Sequence, residues 1–388
     1  MLHSFPFYYS LPFWLAFVLI ALAFRAFAAK PKGRGIFLLI ASSGMLLAMP
    51  GFTPVKLGLV LCLTAVSFAV AGRLVRSRAS MPPGSRKGLM FLGVVMVLAF
   101  LAFFKYRFIQ GFFLGRPAAA AGTASSLIFL IGVSYFSFKM IHVLIESSRG
   151  KIEGLTALNY VNYILYFVPF ISGPINRFNP FSSQMSAPMR TGLKDDLKRG
   201  GERIVHGLFK KFVLVQLLYP HILGNQATPL AELAPGRILL GLYAFAFYFY
   251  FDFSGYTDLA IGAGRIMGLD LPENFNRPFL KKNIRELWMN WHMSLTGWLV
   301  EYVYWPLVRK LRGADFFRER PVLLSNIGMI VTFILCGMWH GETANFMIWG
   351  AYHGFGIAAV NIYQREKRKV RNPLLVNYFR SRTSQWVG

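Results

Sequence analysis

The chain has few cysteines and few acidic residues for its length. Only two cysteines occur in 388 residues, Cys62 and Cys336, and both lie within apolar runs. A framework of disulfides is therefore not indicated. Asp and Glu number 16 against 42 Lys and Arg, and charged residues make up only 15% of the chain. In a soluble domain of this size roughly a quarter of the residues would be charged, so a separate soluble domain is not expected.

Several catalytic motifs are also missing. The sequence has no His-Glu-x-x-His pair for zinc, no Walker A loop, no Gly-x-Ser-x-Gly elbow and no Cys-x-x-Cys pair. These absences argue against an intramembrane metalloprotease and an ATP-driven pump, and no metal site is predicted. The first apolar run begins near residue 11 without a basic segment before it or a clear cleavage site. This indicates a retained span rather than a removed signal peptide.

Apolar sequence dominates the rest of the chain. Hydrophobic residues make up 55% of it and aromatic residues 16%. Apolar runs of roughly 17–25 residues recur, which is the length of a helix that crosses a bilayer. The predicted fold is therefore an all-α polytopic integral membrane protein with about nine full spans. The candidate spans are residues 11–29, 36–50, 54–72, 88–104, 127–145, 205–223, 236–263, 322–340 and 343–363.

Two further apolar stretches, 157–175 and 283–300, are interrupted by Pro, Gly, Asn and charge. Broken backbone is tolerated at membrane depth only where protein or a water-filled cavity surrounds it, so both are predicted to be re-entrant. The net charge of +26 is concentrated in the loops. The positive-inside rule accounts for it and places the N-terminus outside and the C-terminus in the cytoplasm. Nucleic-acid binding is not expected, whereas anionic lipid of the bilayer or an acidic cytoplasmic partner could be attracted.

Two carboxylates interrupt the apolar helix around residue 255. Asp252 and Asp258 should face a cavity or a partner, because an ionised carboxylate inside the bilayer is costly. One reading is a polar tunnel lining, to which Tyr256 would also belong. The alternative is a carboxylate that pins the helix through Ser, Tyr or backbone amides. Nearby glycines most simply allow close helix packing; they are Gly255, Gly262 and Gly264.

The stretch "ELWMNWHMSLTGW", residues 286–298, mixes tryptophans with polar residues. At helical spacing Trp288, Trp291, Leu295 and Trp298 share one face, and His292 points elsewhere. A Trp-rich amphipathic helix often lies at the level of the lipid headgroups, so an interfacial anchor is one interpretation. A functional role for His292 is the other.

His340 closes the apolar run "NIGMIVTFILCGMW". Imidazole exchanges a proton near neutral pH, so a histidine buried there and kept neutral could act as a base. The alternative is a buried histidine satisfied by a hydrogen bond. Cys336 lies one turn earlier on the same face, which makes either a Cys–His nucleophile pair or an inert buried thiol conceivable. His353, in the next span, is interpreted as structural.

Four blocks in the order of the chain resemble the membrane-bound O-acyltransferase family. They are "FVPFISGPINRF", "FDFSGYTDLAIGAGRIMG", "ENFNRPFLKKNIRELWMNWHMSLTGWL" and "LCGMWHGETANFMIWGAYHG", and they cover roughly residues 130 to 360. Some segments are similar to the bacterial branch that moves D-alanine onto teichoic acids, and others to the branch that O-acetylates alginate. The resemblance implies one membrane-embedded domain over 1–388, in a ring-like fold with a central tunnel, in a bacterial inner membrane.

The resemblance also implies roles for two histidines. His340 would be the catalytic base, and His292 would orient the donor or polarise the acyl carbonyl. No permanently bound cofactor is expected. The acyl thioester donor would be a phosphopantetheinyl carrier protein or acetyl-CoA on the cytoplasmic face, and an exported partner protein would complete transfer to a cell-envelope glycopolymer. The residues expected to line the tunnel or contact substrate are Trp339, Asn290, Ser294, Asp252, Tyr256 and Asn345, of which the three at 290, 294 and 345 are also candidate oxyanion donors.

Other functions remain compatible with the same residues. Acylation of a lipid or a small hydroxyl compound within the bilayer is one. A transporter or flippase without bond chemistry is another, because broken helices and intramembrane carboxylates also suit transport. A scaffold for envelope assembly is the third. The family usually continues with further spans after the hairpin that contains His340, so this chain, with its basic cytoplasmic tail at 365–388, is expected to be a short member or truncated.

Overall fold

The computed structural model describes residues 10–27, 30–114, 130–188, 192–223 and 229–369, and the described residues form helices and no strands. The chain divides into two compact units, a first unit Met1–Pro272 and a second unit Glu273–Gly388. The basic tail from residue 370 onward and the first residues of the predicted span 127–145 lie outside the described residues. The single domain expected over 1–388 stays a prediction.

The first unit contains eleven α-helices among its described residues. A π-helix, Lys210–Leu214, joins the ninth to the tenth, and short 3-10 helices cover Tyr219–His221 and Leu230–Glu232. The α-helices are α1 (Leu11–Ala26), α2 (Pro31–Leu47), α3 (Pro54–Arg76), α4 (Pro83–Lys105), α5 (Arg107–Leu114), α6 (Val133–Arg149), α7 (Ala157–Leu165), α8 (Phe178–Ser186), α9 (Leu193–Phe209), α10 (Val215–Leu218) and α11 (Pro235–Met267).

Local sequence explains where these helices begin. Proline occupies the first turn of α1 to α4 and of α11, where its missing N–H would have no partner in the helix anyway. The hydroxyls of Ser10 and Thr53 cap α1 and α3, each accepting a hydrogen bond of 3.3 Å from a backbone amide three residues on. Helix α11 ends at Met267, and Gly268 caps it with a φ of 79°, the left-handed conformation that glycine adopts without strain.

Four helices among the described residues are long and apolar enough to cross a membrane. Three belong to the first unit, namely α3, α4 and α11, and the fourth is Pro321–His340 in the second unit. They coincide with four of the predicted spans. The apolar helix α1 has only 16 residues. The remaining spans, the re-entrant paths and the orientation stay predictions. The stretch 157–175 is broken as expected, since α7 ends at Leu165 and no helix follows until α8.

Helices α9 and α11 approach each other closely at glycine. A methyl group added at Gly262 would lie 2.6 Å from the carbonyl oxygen of Gly200, and one added at Gly255 would lie 3.0 Å from that of Gly207. The predicted role of Gly255 and Gly262 in close packing is therefore confirmed. Gly264 instead faces the carbonyl oxygen of Leu269, at 2.6 Å from an added methyl group.

The second unit begins with a short 3-10 helix, Pro278–Leu280, and contains a run of broken helix followed by a long hairpin. A π-helix, Val300–Tyr304, lies within the broken run. The α-helices are α12 (Ile284–Met289), α13 (Met293–Leu299), α14 (Trp305–Leu311), α15 (Asp315–Arg318), α16 (Pro321–His340) and α17 (Ala344–Lys369).

The hairpin of α16 and α17 is antiparallel and packed through glycine. Gly354 lies opposite Ile330, where an added methyl group would be 2.8 Å from the Cα atom, and Gly350 lies opposite the carbonyl of Phe333. Further along, the Asn361 Nδ2 donates a hydrogen bond of 3.0 Å to the Oδ1 of Asn326. Because glycine removes the side chain at the crossing points, the two backbones lie close along their length.

Candidate active site

A cavity of about 780 Å³ runs along one side of α16 in the second unit. The residues of α16 that line it recur every three or four positions and therefore form one face of the helix. They extend from Pro321 to His340, which at 1.5 Å per residue is a path of about 28 Å. The other walls come from α12, α13, the π-helix that follows and the second half of α17.

One end of this cavity is basic and polar. Because α17 is antiparallel to α16, the last turns of α17 lie near the start of α16. Gln364, Arg365 and Arg368 line the cavity there, together with Ser325 and Asn326 of α16. Guanidinium and amide groups in this arrangement suit an anionic, phosphate-bearing ligand. Near this end, Lys369 donates hydrogen bonds of 2.7 and 2.9 Å to Glu366 and lowers the pKa of its carboxyl group.

The other end of the cavity is aromatic and contains His340, the last residue of α16. Its imidazole is half-buried and lies among rings, 4.6 Å from Trp339, 5.2 Å from Trp349 and 6.4 Å from Phe346 between centroids. His340 also lines the cavity. The chain turns back after it through Gly341, which is too close to the Phe346 ring for a side chain. The imidazole is therefore held at the closed end of the hairpin.

His292 lines the same cavity and is 4% exposed. The two imidazoles are close enough to interact electrostatically. His292 has a φ of 43°, which is uncommon for a residue other than glycine, and it lies in the gap between α12 and α13. The expectation that His292 points away from Trp288, Trp291 and Leu295 is wrong, because all four line the cavity. The helical spacing fails because the helix breaks between them.

Two of the candidate oxyanion donors are bonded within the second unit. The Asn290 Nδ2 donates to the carbonyl oxygen of Glu286 at 2.8 Å, and the Ser294 Oγ donates to the Oδ1 of Asn274 at 2.6 Å. Neither Asn290 nor Ser294 is among the described residues that line the cavity. Both lie beside His292 and shape the backbone around it.

The two other expected contacts of the second unit flank His340. Asn345 is exposed in the first turn of α17. Trp339 packs against the His340 ring and is half-buried. Neither is among the described residues that line the cavity. Their proposed contact with substrate therefore stays a prediction.

Asp252 and Asp258 belong to the first unit and are ion-paired. Asp252 pairs with Lys211, and Asp258 accepts hydrogen bonds of 2.5 Å from both Arg203 and Lys210. The expectation of partners among Ser, Tyr and backbone amides is wrong, because the partners are cations of α9 and the π-helix. Adjacent lysines on a regular α-helix point about 100° apart, and the wider π turn brings both to α11.

Tyr256, on the same helix α11, bonds to backbone. Its hydroxyl donates to the carbonyl oxygen of Val168 at 3.3 Å and accepts from the amide of Ser172 at the same distance. The side chain is 2% exposed. These contacts attach α11 to the irregular segment after α7, so Tyr256 stabilises the packing of the first unit.

Two further candidate residues belong to the hairpin of α16 and α17. Cys336 is buried and lines the cavity one turn before His340. His353 accepts a hydrogen bond of 3.4 Å from the Nε1 of Trp288 and packs against Trp349 at 4.8 Å. This supports the structural interpretation of His353.

The polar face of α16 and the last turns of α17 were not predicted to line a cavity. Ser325, Asn326 and Thr332 lie on one face of an otherwise apolar helix, and that spacing could have indicated a lined cavity. The sequence assigns Arg365 and Arg368 to the basic tail at 365–388. Asn274 was not singled out, and no short-range pattern marks it.

Comparison with known proteins places this helical membrane protein with its histidine-lined cavity in a family. The model of the MBOAT, membrane-bound O-acyltransferase family matches residues 95–372. The chain belongs to the membrane-bound O-acyltransferase family.

Several curated proteins are similar to it. A teichoic acid D-alanyltransferase of Bacillus subtilis is 33% identical over 63% of this chain and 62% of its own length. A probable alginate O-acetylase of Azotobacter vinelandii is 32% identical over 78% of this chain and 59% of its own. A teichoic acid D-alanyltransferase of Lacticaseibacillus rhamnosus is 27% identical over 73% of this chain and 76% of its own. The chain thus spans about three fifths of the length of the first relatives it matches.

Proposed function

We propose that the chain is a membrane O-acyltransferase that passes an acetyl or D-alanyl group from a cytoplasmic thioester donor to a cell-envelope glycopolymer or an exported partner protein. The observation that carries this proposal is the cavity of the second unit. It has His292 and His340 at one end and two arginines of α17 at the other. Family membership and the names of both groups of relatives support the same chemistry.

In this mechanism the basic end holds the donor and the aromatic end holds its acyl group. Arg365 and Arg368 contact phosphate of coenzyme A or of a phosphopantetheine arm. The orientation predicted from the positive-inside rule would put these arginines on the cytoplasmic side of a bacterial inner membrane, where the donor is made. The thioester then extends along α16 toward His340.

The transfer exchanges one bond to the acyl carbon for another. The imidazole of His340 takes the proton of the acceptor hydroxyl as its oxygen bonds to the thioester carbonyl carbon. The C–S bond then breaks, and the thiolate leaves with the proton returned by the imidazolium. His292 orients the thioester or polarises its carbonyl. Backbone amides or side chains near the developing oxyanion would add stabilisation.

The proposal is tested by envelope-polymer acylation in cells that carry the wild type, His340→Ala or His292→Ala at matched membrane levels. Mass spectrometry of the released groups identifies the acyl group directly. We expect both variants to accumulate normally and lose acylation. Persistent acylation with His340→Ala would contradict the mechanism. A transporter without bond chemistry should tolerate His340→Gln, whereas the proposed enzyme should not.

A further inference from the structure

Helix α13 has an unusual beginning. His292 is its N-cap residue, and an N-cap side chain ordinarily accepts a hydrogen bond from an amide of the first turn. His292 makes no such capping bond through its side chain, and its backbone is left-handed. The first amides of a helix have no partner within it, so the acceptors must come from elsewhere.

They come from Asn274, which precedes α13 by almost twenty residues. Its backbone oxygen accepts from the amide of Met293 at 2.8 Å. Its Oδ1 accepts from the amide of Ser294 at 3.2 Å and from the Ser294 hydroxyl at 2.6 Å. Asn274 is completely buried. One asparagine therefore supplies the cap that the N-cap residue does not.

The residues that follow Asn274 bond to the chain just before His292, on the other side of the gap between α12 and α13. The amide of Asn276 donates to the carbonyl oxygen of Asn290 at 3.0 Å, before His292. The ring of Phe275 packs edge-on against Trp291 at 5.1 Å. The backbone on both sides of His292 is thus bonded to residues 274–276. This arrangement fixes a conformation that a non-glycine residue rarely adopts.

We propose that Asn274 is a positioning residue for His292. By capping α13 in its place, Asn274 leaves the imidazole to line the cavity beside His340. The inference rests on the proposed function for its consequence in catalysis. Its geometric part concerns only where the imidazole lies, and that part can be measured without any acyl transfer.

The geometric test is the rate at which diethyl pyrocarbonate modifies each histidine of the detergent-solubilised full chain, resolved by mass spectrometry. With Asn274→Ala we expect modification of the 4% exposed His292 to rise about tenfold while His353 is unchanged. Asn276→Ala is the matched control. Asn276 is exposed, and its bond to the carbonyl oxygen of Asn290 comes from its backbone amide, which alanine keeps. Unchanged modification of His292 in Asn274→Ala would overturn the proposal. If that variant does not accumulate, Ser294→Ala removes the 2.6 Å hydroxyl bond and keeps the backbone amide bond to Asn274, and a rise of about threefold is expected. No rise would again overturn the proposal.

The catalytic test is a double-substitution cycle. We expect Asn274→Ala to lower kcat about tenfold with KM little changed, and to have no further effect in a His292→Ala background. If the two substitutions lowered kcat independently, so that their effects multiplied in the double variant, Asn274 would not act through His292. Absence of acyl transfer by the wild type would instead contradict the proposed function, and the modification rates would still decide the role of Asn274.

Discussion

The first and second units use polar residues in apolar surroundings in opposite ways. In the first unit, the two carboxylates of α11 are ion-paired with cations of α9 and of the π-helix that follows it. In the second unit, His292 and His340 both line a space of about 780 Å³, and His340 also packs among aromatic rings. The comparison shows that a polar residue in a predicted span has functional meaning only once its neighbours are known. Ion pairing indicates assembly of helices, and a lined cavity indicates a ligand.

The sharpest test of this contrast is His340→Ala. We expect acyl transfer to fall about 10²–10⁴-fold, the usual contribution of a general base, with unchanged protein levels. His206→Ala is the control, since His206 is an exposed histidine of the first unit. Acylation assays in membranes measure the effect. If His340→Ala and His206→Ala lowered acyl transfer equally, the contrast between the two units would be wrong.

The reverse test breaks an ion pair of the first unit. Asp252→Ala leaves Lys211 buried without its carboxylate, and we expect destabilisation of about 3–5 kcal/mol and lower accumulation. Asp195→Ala, which removes an exposed carboxylate 2.9 Å from Arg199, should change stability little. Thermal unfolding in detergent measures both.

A compensating change separates packing from function in that pair. Asp252→Leu combined with Lys211→Met should recover most of the lost stability, because both charges are removed together. If the double variant is stable but inactive, Asp252 has the tunnel role first expected of it, and the contrast between the units fails at this position.

The basic end of the cavity should affect binding more than turnover. Arg365→Gln with Arg368→Gln is expected to raise KM for the thioester donor about tenfold and leave kcat nearly unchanged. Lys367 lies between the two arginines on α17 but is not among the described residues that line the cavity. Lys367→Gln therefore controls for the loss of positive charge in this part of α17. A similar rise in KM for Lys367→Gln would mean that the tail acts only as a basic surface.

Cys336→Ser should have the smallest effect. If the thiol is inert, acyl transfer stays within about twofold of the wild type, because serine fits the same space. A Cys–His nucleophile pair would instead lose most of its rate and leave no acyl-cysteine for mass spectrometry to detect. Cys62→Ser, at an exposed cysteine of the first unit, is the control.

The sequence predicted the features that depend on short-range pattern. The four long apolar helices, the close packing at Gly262 and the histidine at the end of α16 all follow from composition and spacing. The sequence also predicted that 283–300 is broken, and the helix does stop between Met289 and Met293. The position of the break at His292 could not be predicted, because a left-handed histidine has no distinctive local pattern and depends on Asn274. The cations opposite Asp252 and Asp258 were missed because a π turn changes which side chains face the neighbouring helix.

The glycine contacts between α16 and α17 have a consequence for the reach of the donor. The backbones of α16 and α17 are in contact at Gly350 and Gly354, so sliding one helix along the other would bring side chains into a space that only glycine fits. The arginines of α17 and the imidazole of His340 belong to this hairpin, so the close packing of the two helices sets the distance between them. Under the proposed function, a thioester on a long phosphorylated arm would contact the arginines and His340 together, whereas a truncated thioester would contact only one of them.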